Sequence, residues 1–162
     1  MFISGGIMTD IYITIEGVKE KEARLRYLKN EKRPEVLERL KTAREYGDLS
    51  ENSEYDAARN EQGQVETEIQ LIEDTLRLAK VIDPSKVSKD FAGVGTSVKL
   101  YDEEWDEEVV YKIVGTIESD PDRGYISNES PIGKSLIGKK VGDVVTISTP
   151  GGDSVLKILS IY

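Results

Sequence analysis

Apolar side chains recur along the first half of the chain at the spacing of an amphipathic helix. Between residues 55 and 79 the steps alternate between three and four, which is the seam of a coiled coil with one polar member. A second, less regular stripe lies upstream, and Pro34 interrupts it, so we expect a kink there. The seam is Tyr55, Ala58, Gln62, Val65, Ile69, Ile72, Leu76 and Ala79, and the upstream stripe is Leu25, Leu28, Val36, Leu40 and Ala43.

The two stripes are separated by a segment too short for anything except a tight reversal, residues 46–50. Two helical seams joined by a short turn predict an antiparallel helical hairpin. With about 30 residues in each arm, such a hairpin is about 45 Å long. A hairpin of this kind serves either as a dimerisation element or as a probe that reaches a distant target.

The second half of the chain has a different pattern, with glycine, proline and short runs rich in valine, isoleucine and tyrosine. It predicts a small α+β domain around an antiparallel sheet, with one short helix over residues 130–138. We therefore predict a hairpin over residues 1–83 with its tip near 46–54, a linker over 84–95 and a second domain over 96–162. The predicted strands are residues 97–101, 108–117, 125–127, 144–149 and 155–161, with a turn at 150–153 before the last.

The amino-acid composition excludes several kinds of catalytic and metal site. The sequence contains neither cysteine nor histidine, which excludes disulfides, thiolate nucleophiles, Cys/His zinc sites and imidazole catalysis. A net charge of −9 argues against a protein that coats nucleic acid. No apolar run is long enough for a membrane span, and the first residues make a poor signal peptide, so we expect a cytoplasmic protein without a membrane partner. Met8 is an alternative start, in which case residues 1–7 are an extension.

Three acids spaced three apart, Asp48, Glu51 and Glu54, lie at the predicted tip. Mg²⁺ prefers oxygen ligands and is commonly bound through only one or two carboxylates. Asp48 and Glu51 alone would bind Mg²⁺ weakly, but beside a metal and a phosphodiester in another protein they would complete a two-metal site. The same spacing also fits a capping box at a helix start, and on spacing alone that structural role is favoured.

Basic residues concentrate near the predicted base of the hairpin, seven of them within residues 19–33 against three acids. They form either an ordinary solvated face with salt-bridge partners or a surface that contacts RNA. Arg59, near the tip, is a further candidate for a phosphate contact. The seven are Lys19, Lys21, Arg24, Arg26, Lys29, Lys32 and Arg33.

Residues 43–63 closely resemble the tip signature of the GreA/GreB family of bacterial transcript cleavage factors, and residues 130–139 and 149–152 resemble the C-terminal domain of that family. The resemblance spans roughly residues 8–162, is closer to GreA, and favours the metal role of the acids over the cap. It implies an N-terminal coiled-coil hairpin and a C-terminal domain similar to FKBP prolyl isomerases.

The resemblance also implies a function. A member binds RNA polymerase at the rim of the secondary channel, passes its hairpin down the channel, and stimulates cleavage of the 3′ end of backtracked nascent RNA by the polymerase. Asp48 and Glu51 would help to hold Mg²⁺ and its water in the polymerase active site, and the factor has no cofactor of its own. The implied polymerase-docking residues are Ser130, Pro131 and Ile132, and the implied channel or RNA contacts are Arg44, Asn52, Arg59, Arg24, Arg26, Lys29, Lys32 and Arg33.

The sequence leaves two alternative functions open. A prolyl isomerase or chaperone would need an apolar, aromatic-lined pocket. Trp105, however, stands among six acids in residues 102–108, which indicates a turn or an exposed loop. A channel-binding inhibitor would bind the same polymerase without stimulating cleavage. Inhibitory relatives carry altered, more acid-rich tips, so the tip sequence here favours stimulation.

Overall fold

The computed structural model describes residues 3–4, 7–8, 10–46 and 53–162. The chain divides into two compact units, which are treated separately below. The hairpin unit is Val18–Leu78, and the sheet unit combines Met1–Gly17 with Ala79–Tyr162. Within the described part of the chain, every helix is too short or too polar to cross a membrane.

Two helical arms build the hairpin. The first arm is α-helix α1, a five-residue π-helical segment and α2, and the second arm is the 26-residue helix α3. At 1.5 Å per residue, α3 is about 39 Å long. The bounds are Ile15–Tyr27 for α1, Leu28–Lys32 for the π-helical segment, Arg33–Glu45 for α2 and Ser53–Leu78 for α3.

The π-helical segment lies directly before Pro34, where the sequence predicts a disturbance. Proline has no N–H, so the carbonyl of Asn30 loses the donor that an α-helix would supply. The chain widens instead, and the N–H of Arg33 donates to the carbonyl of Leu28 five residues earlier. Pro34 then occupies the first turn of α2, where its missing donor costs little.

The hairpin core is the seam that the sequence predicts. Ala58, Val65, Ile69 and Ile72 are buried on α3. They pack with Leu28, Val36 and Leu40 of the first arm, and Leu25, Tyr55 and Leu76 are partly buried against the same cluster. Burial of these side chains, each worth roughly 1.5–3 kcal/mol for the larger ones, holds the two arms together.

Among the described residues, every strand lies in the sheet unit, together with one short helix. Besides these it has three single-turn 3₁₀ helices, at Pro84–Lys86, Thr116–Glu118 and Pro121–Arg123. The strands are β1 (Ile3–Ser4), β2 (Ile7–Met8), β3 (Tyr12–Thr14), β4 (Lys80–Ile82), β5 (Ser97–Asp102), β6 (Glu107–Val114), β7 (Tyr125–Ser127), β8 (Val144–Thr149) and β9 (Gly152–Ile161), and the helix is α4 (Pro131–Leu136).

The main sheet has five strands in the order β7-β6-β5-β9-β8. The sequence predicts an antiparallel sheet, and this needs one correction, because β7 pairs with β6 in parallel and the sheet is therefore mixed. The physical reason is that the chain after β6 does not turn back directly but passes through two 3₁₀ turns before β7. The predicted second strand also ends earlier, at Val114, because residues 116–118 form the first of these turns.

Two short parallel strands flank the hairpin in sequence. β3 directly precedes α1, β4 follows α3, and the two pair with Tyr12 opposite Lys80 and Thr14 opposite Ile82. The predicted domain boundaries stay a prediction. Within the predicted linker, however, Ala92 is buried in the main core of the sheet unit.

Glu118 ties β3 to the segment after β6. Its carboxylate accepts hydrogen bonds from the backbone N–H of Thr14 at 2.8 Å and from the Thr14 hydroxyl at 2.6 Å. The Thr14 hydroxyl in turn accepts from the N–H of Gly17 at 3.1 Å, which caps the start of α1. A Cβ on Gly17 would lie 2.2 Å from Glu118 Oε1, so a larger residue there would displace the carboxylate from Thr14.

Candidate functional site

The candidate site lies where the two arms of the hairpin meet. α2 ends at Glu45, Tyr46 follows with 83% of its surface exposed, and α3 begins at Ser53. The predicted metal-binding acids Asp48 and Glu51, and the predicted contact residue Asn52, lie in the intervening segment, outside the described residues. Their roles stay predictions.

Glu54, the third of the regularly spaced acids, lies within the described residues and forms an ion pair with Arg39. Its carboxylate accepts from Arg39 of α2 at 3.1 Å. Arg39 also donates to Glu61 at 2.5 Å, so one guanidinium joins two carboxylates of α3. Among the described residues no group of three or more acids could by itself hold a metal ion. Of the three spaced acids, Asp48 and Glu51 are therefore the pair to test as metal ligands.

Arg44 and Arg59, both predicted contact residues, approach the same tyrosine. Arg44 lies in the last turn of α2, with its guanidinium carbon 5.8 Å from the centre of the Tyr55 ring. Arg59 lies one turn beyond Tyr55 on α3, and its Nη1 donates to the Tyr55 hydroxyl at 3.3 Å. Hydrogen bonds from Arg44 and then Arg59 lower the pKa of that hydroxyl below its ordinary value. The sequence indicates only that Tyr55 belongs to the apolar seam, so this polar role was missed.

The predicted basic surface is tied to α3 by ion pairs. Because the arms run antiparallel, cations of the first arm face glutamates of the second. Arg24 and Arg33 each make two parallel hydrogen bonds to one carboxylate, the strongest geometry of this kind. Arg26 is exposed. The pairs are Arg24–Glu68 at 2.7 Å, Arg33–Glu66 at 2.7 Å, Lys32–Glu61 at 2.6 Å and Lys29–Glu73.

These pairs match the first of the two interpretations of the basic run, a solvated face with salt-bridge partners. Each involves exposed or partly exposed side chains, and such pairs add little to stability because water and salt screen them. The hydrogen bond from Arg33 lowers the pKa of the Glu66 carboxyl, and that from Arg24 lowers the pKa of the Glu68 carboxyl. Contacts of these cations with nucleic acid stay a prediction.

The predicted docking residues lie at the start of α4 in the sheet unit. The Ser130 hydroxyl accepts from the N–H of Gly133 at 3.1 Å and donates to the carbonyl of Ser127 at 2.6 Å. Pro131 follows in the first helical turn and is exposed, whereas Ile132 is half-buried against the core. Ser130 thus acts as a helix cap that holds Pro131 at the surface.

Trp105 lies in the turn between β5 and β6, as its acid-rich surroundings predict. Its side chain is 68% exposed. The Asp102 carboxylate shapes the turn by accepting from the N–H groups of Glu104 at 2.9 Å and Trp105 at 3.3 Å. A tryptophan in this position does not line a pocket, so it gives no support to the isomerase alternative.

Comparison with known proteins identifies the class of protein to which this chain belongs. A model described as transcription elongation factor, N-terminal, matches residues 11–81, and a model described as transcription elongation factor, GreA/GreB, C-term, matches residues 87–162. Over these two ranges the chain is thus built like a transcription elongation factor. It belongs to the GreA/GreB family.

Two relatives of similar sequence agree with this assignment. The chain is 54% identical over 151 residues to the transcription elongation factor GreA of Thermoanaerobacter pseudethanolicus, covering 93% of this chain and 96% of that protein. It is 52% identical over 149 residues to the GreA of Clostridium botulinum strain Alaska E43, covering 92% and 93%. Among solved structures, GreA factor homolog 1 of Thermus thermophilus is 28% identical, covers 95% of this chain and 99% of its own, and gives a TM-score of 0.44.

The prediction of a GreA/GreB family member, most like GreA, is confirmed. A transcription elongation factor acts on RNA polymerase, which is therefore the partner that family membership indicates.

Proposed function

We propose that this chain enters the secondary channel of RNA polymerase in the cytoplasm and stimulates cleavage of backtracked nascent RNA at its 3′ end. The polymerase performs the hydrolysis, and this chain contributes side chains to it without being an enzyme itself. One observation carries the proposal. Two helical arms in antiparallel register converge on a junction of six residues, and the sequence of that junction contains both Asp48 and Glu51.

The arms suit a probe because they are held together along their length. The buried seam runs from Ala58 near the junction to Ile72 further back. Ion pairs flank it at both ends, from Arg39–Glu54 beside the junction to Lys29–Glu73. A pair of helices is slender, since each is about 10–12 Å across with its side chains. Such an element can carry a chemical group into a channel that would exclude a compact domain.

Asp48 and Glu51 would hold the ion through carboxylate oxygens, the ligands that Mg²⁺ prefers. When bound, Mg²⁺ supplies charge stabilisation and an activated water for phosphodiester hydrolysis. Two carboxylates alone would bind Mg²⁺ only weakly. We therefore propose that the two acids of this chain complete a site that belongs to the polymerase.

The remaining predicted contacts have two proposed tasks. Asn52, Arg44 and Arg59 lie at or beside the junction, where they would contact the RNA. Ser130, Pro131 and Ile132 would dock at the channel rim. The support for docking is that the Ser130 cap holds an exposed proline at the start of α4.

The experiment is an RNA cleavage assay on a backtracked polymerase complex with wild type, Asp48→Asn and Glu51→Gln. Asparagine caps a helix about as well as aspartate, so Asp48→Asn removes the charge while preserving a capping role. We expect each variant to lower the stimulated rate at least about tenfold, which corresponds to about 1.4 kcal/mol of barrier.

The matched control is Glu45→Gln, which neutralises an exposed acid in the last turn of α2. It should retain the wild-type rate. If Asp48→Asn and Glu51→Gln together still accelerate cleavage as wild type does, the metal role is wrong. A channel-binding inhibitor gives a third pattern, because even the wild-type chain would then slow cleavage.

A further inference from the structure

Tyr55 lies between two arginines that come from different arms of the hairpin. Arg44 is in the last turn of α2, whereas Arg59 follows Tyr55 by one turn on α3. The Arg44 guanidinium lies over the ring at 5.8 Å from its centre, and Arg59 donates to the hydroxyl at 3.3 Å. One side chain therefore links two cations across the end of the hairpin.

The ring of Tyr55 is fixed independently of these arginines. It is half-buried and packs against the hydrophobic cluster of the hairpin unit. Its hydroxyl thus has a defined position, set by the same seam that joins the arms. The side chains of Arg44 and Arg59 are long and exposed. A fixed oxygen acceptor limits their rotamers before a ligand binds, so less conformational entropy is lost on binding.

We propose that Tyr55 is a positioning residue that holds Arg44 and Arg59 as one cationic pair for a phosphate of the RNA strand. The inference rests on the proposed function. A guanidinium has five N–H donors in a planar fork, far more than one hydroxyl can accept, so anchoring to Tyr55 is compatible with phosphate binding. Two such forks on neighbouring helices match the several oxygens of a phosphodiester.

The variant Tyr55→Phe tests this, because it removes the hydroxyl and keeps the ring in the seam. We expect the maximal cleavage rate at saturating factor to fall about fivefold, the effect of one lost hydrogen bond. The factor concentration that gives half of that rate should not change, since the docking residues are in the other unit. The melting temperature followed by circular dichroism should also stay at the wild-type value.

Tyr27→Phe is the matched control, since Arg24 lies over the Tyr27 ring at 5.4 Å in the same hairpin. It should cleave at the wild-type rate. A second comparison adds Tyr55→Phe to the double variant Arg44→Ala, Arg59→Ala. If Tyr55 acts through the two arginines, the triple variant is no slower than the double variant.

A wild-type rate for Tyr55→Phe would overturn the inference and leave the proposed function standing. So would a further fivefold loss in the triple variant, or a lower melting temperature that accounts for the loss by unfolding. Failure of the wild-type chain to stimulate any cleavage would overturn the proposed function itself, and the inference with it.

Discussion

Glu118 joins segments of the sheet unit that are far apart in sequence, and its truncation gives a sharp test of the fold. Its carboxylate accepts two hydrogen bonds from Thr14, whose surface is only 1% exposed. Glu118→Ala removes the acceptor and leaves a buried N–H and a buried hydroxyl unpaired. Hydrogen bonds to charged groups are worth about 1.5–3 kcal/mol, and a buried unpaired donor costs about 1–3 kcal/mol. We expect the free energy of unfolding to fall by about 2–4 kcal/mol.

The assay must report on the sheet unit. Amide hydrogen exchange at Ile113 does so, because its N–H donates to the carbonyl of Thr96 within the core of that unit. For a unit of about 100 residues, a loss of 1 kcal/mol lowers the melting temperature by about 4–8 °C, so the thermal transition of the sheet unit should fall by roughly 8–32 °C. Asp122→Ala removes an exposed acid of the same unit and should change little. If the free energy of unfolding of Glu118→Ala stays within about 0.5 kcal/mol of the wild-type value, water replaces the carboxylate as the partner of Thr14. The argument from unpaired buried donors is then wrong.

Two further predictions concern stability. The pKa values of Glu66 and Glu68 are lowered mainly by hydrogen bonds from their arginine partners, so this stabilisation is complete above about pH 4.5 and is lost as the pH falls through the lowered values. Helicity of the hairpin, followed by circular dichroism as the pH is lowered, should show this loss. The double variant Glu66→Gln, Glu68→Gln should have a flatter pH profile. A pH profile that the two substitutions leave unchanged would contradict the prediction. Gly133→Ala places a Cβ 2.0 Å from the carbonyl oxygen of Ser127 and should cost about 1–3 kcal/mol in thermal unfolding, whereas Gly63→Ala, with open space around it, should stabilise by up to about 1 kcal/mol. Equal melting temperatures for these two alanine variants would refute the steric argument.

The sequence predicts the hairpin well because its signal is periodic and local. Ala58, Val65, Ile69 and Ile72 recur at seam spacing, and all four are buried. The disturbance near Pro34 is also local, since it follows from one missing N–H. Its form, a π-helical turn, depends on how the arm packs, which no local pattern specifies.

Long-range pairings could not be predicted. β3 and β4 have three residues each, too few for an alternation signal, and they pair only because the hairpin between them reverses the chain. The parallel pairing of β7 has the same origin in chain path. The ion pairs of the basic run required the register of the two arms, which the stripes alone do not fix.

The candidate site was predicted from charge and spacing, and that approach has a clear limit. Asp48 and Glu51 stand out in the sequence as acids at a predicted reversal, whereas Tyr55 looks like any apolar seam residue. Its hydroxyl gains meaning only once Arg44 and Arg59 are placed beside it. A polar group on an amphipathic side chain is therefore easily missed when periodicity already explains the residue.

The parallel pairing of β3 with β4 also bears on the order of folding. These strands close a loop on the order of 65 residues, and closing a flexible loop of that size has an entropic cost that local contacts do not bear. Once the hairpin has formed, its antiparallel arms bring the chain back towards its starting point. β4 is then close to β3 without a long loop having to close. We therefore expect the hairpin to form before β3 pairs with β4.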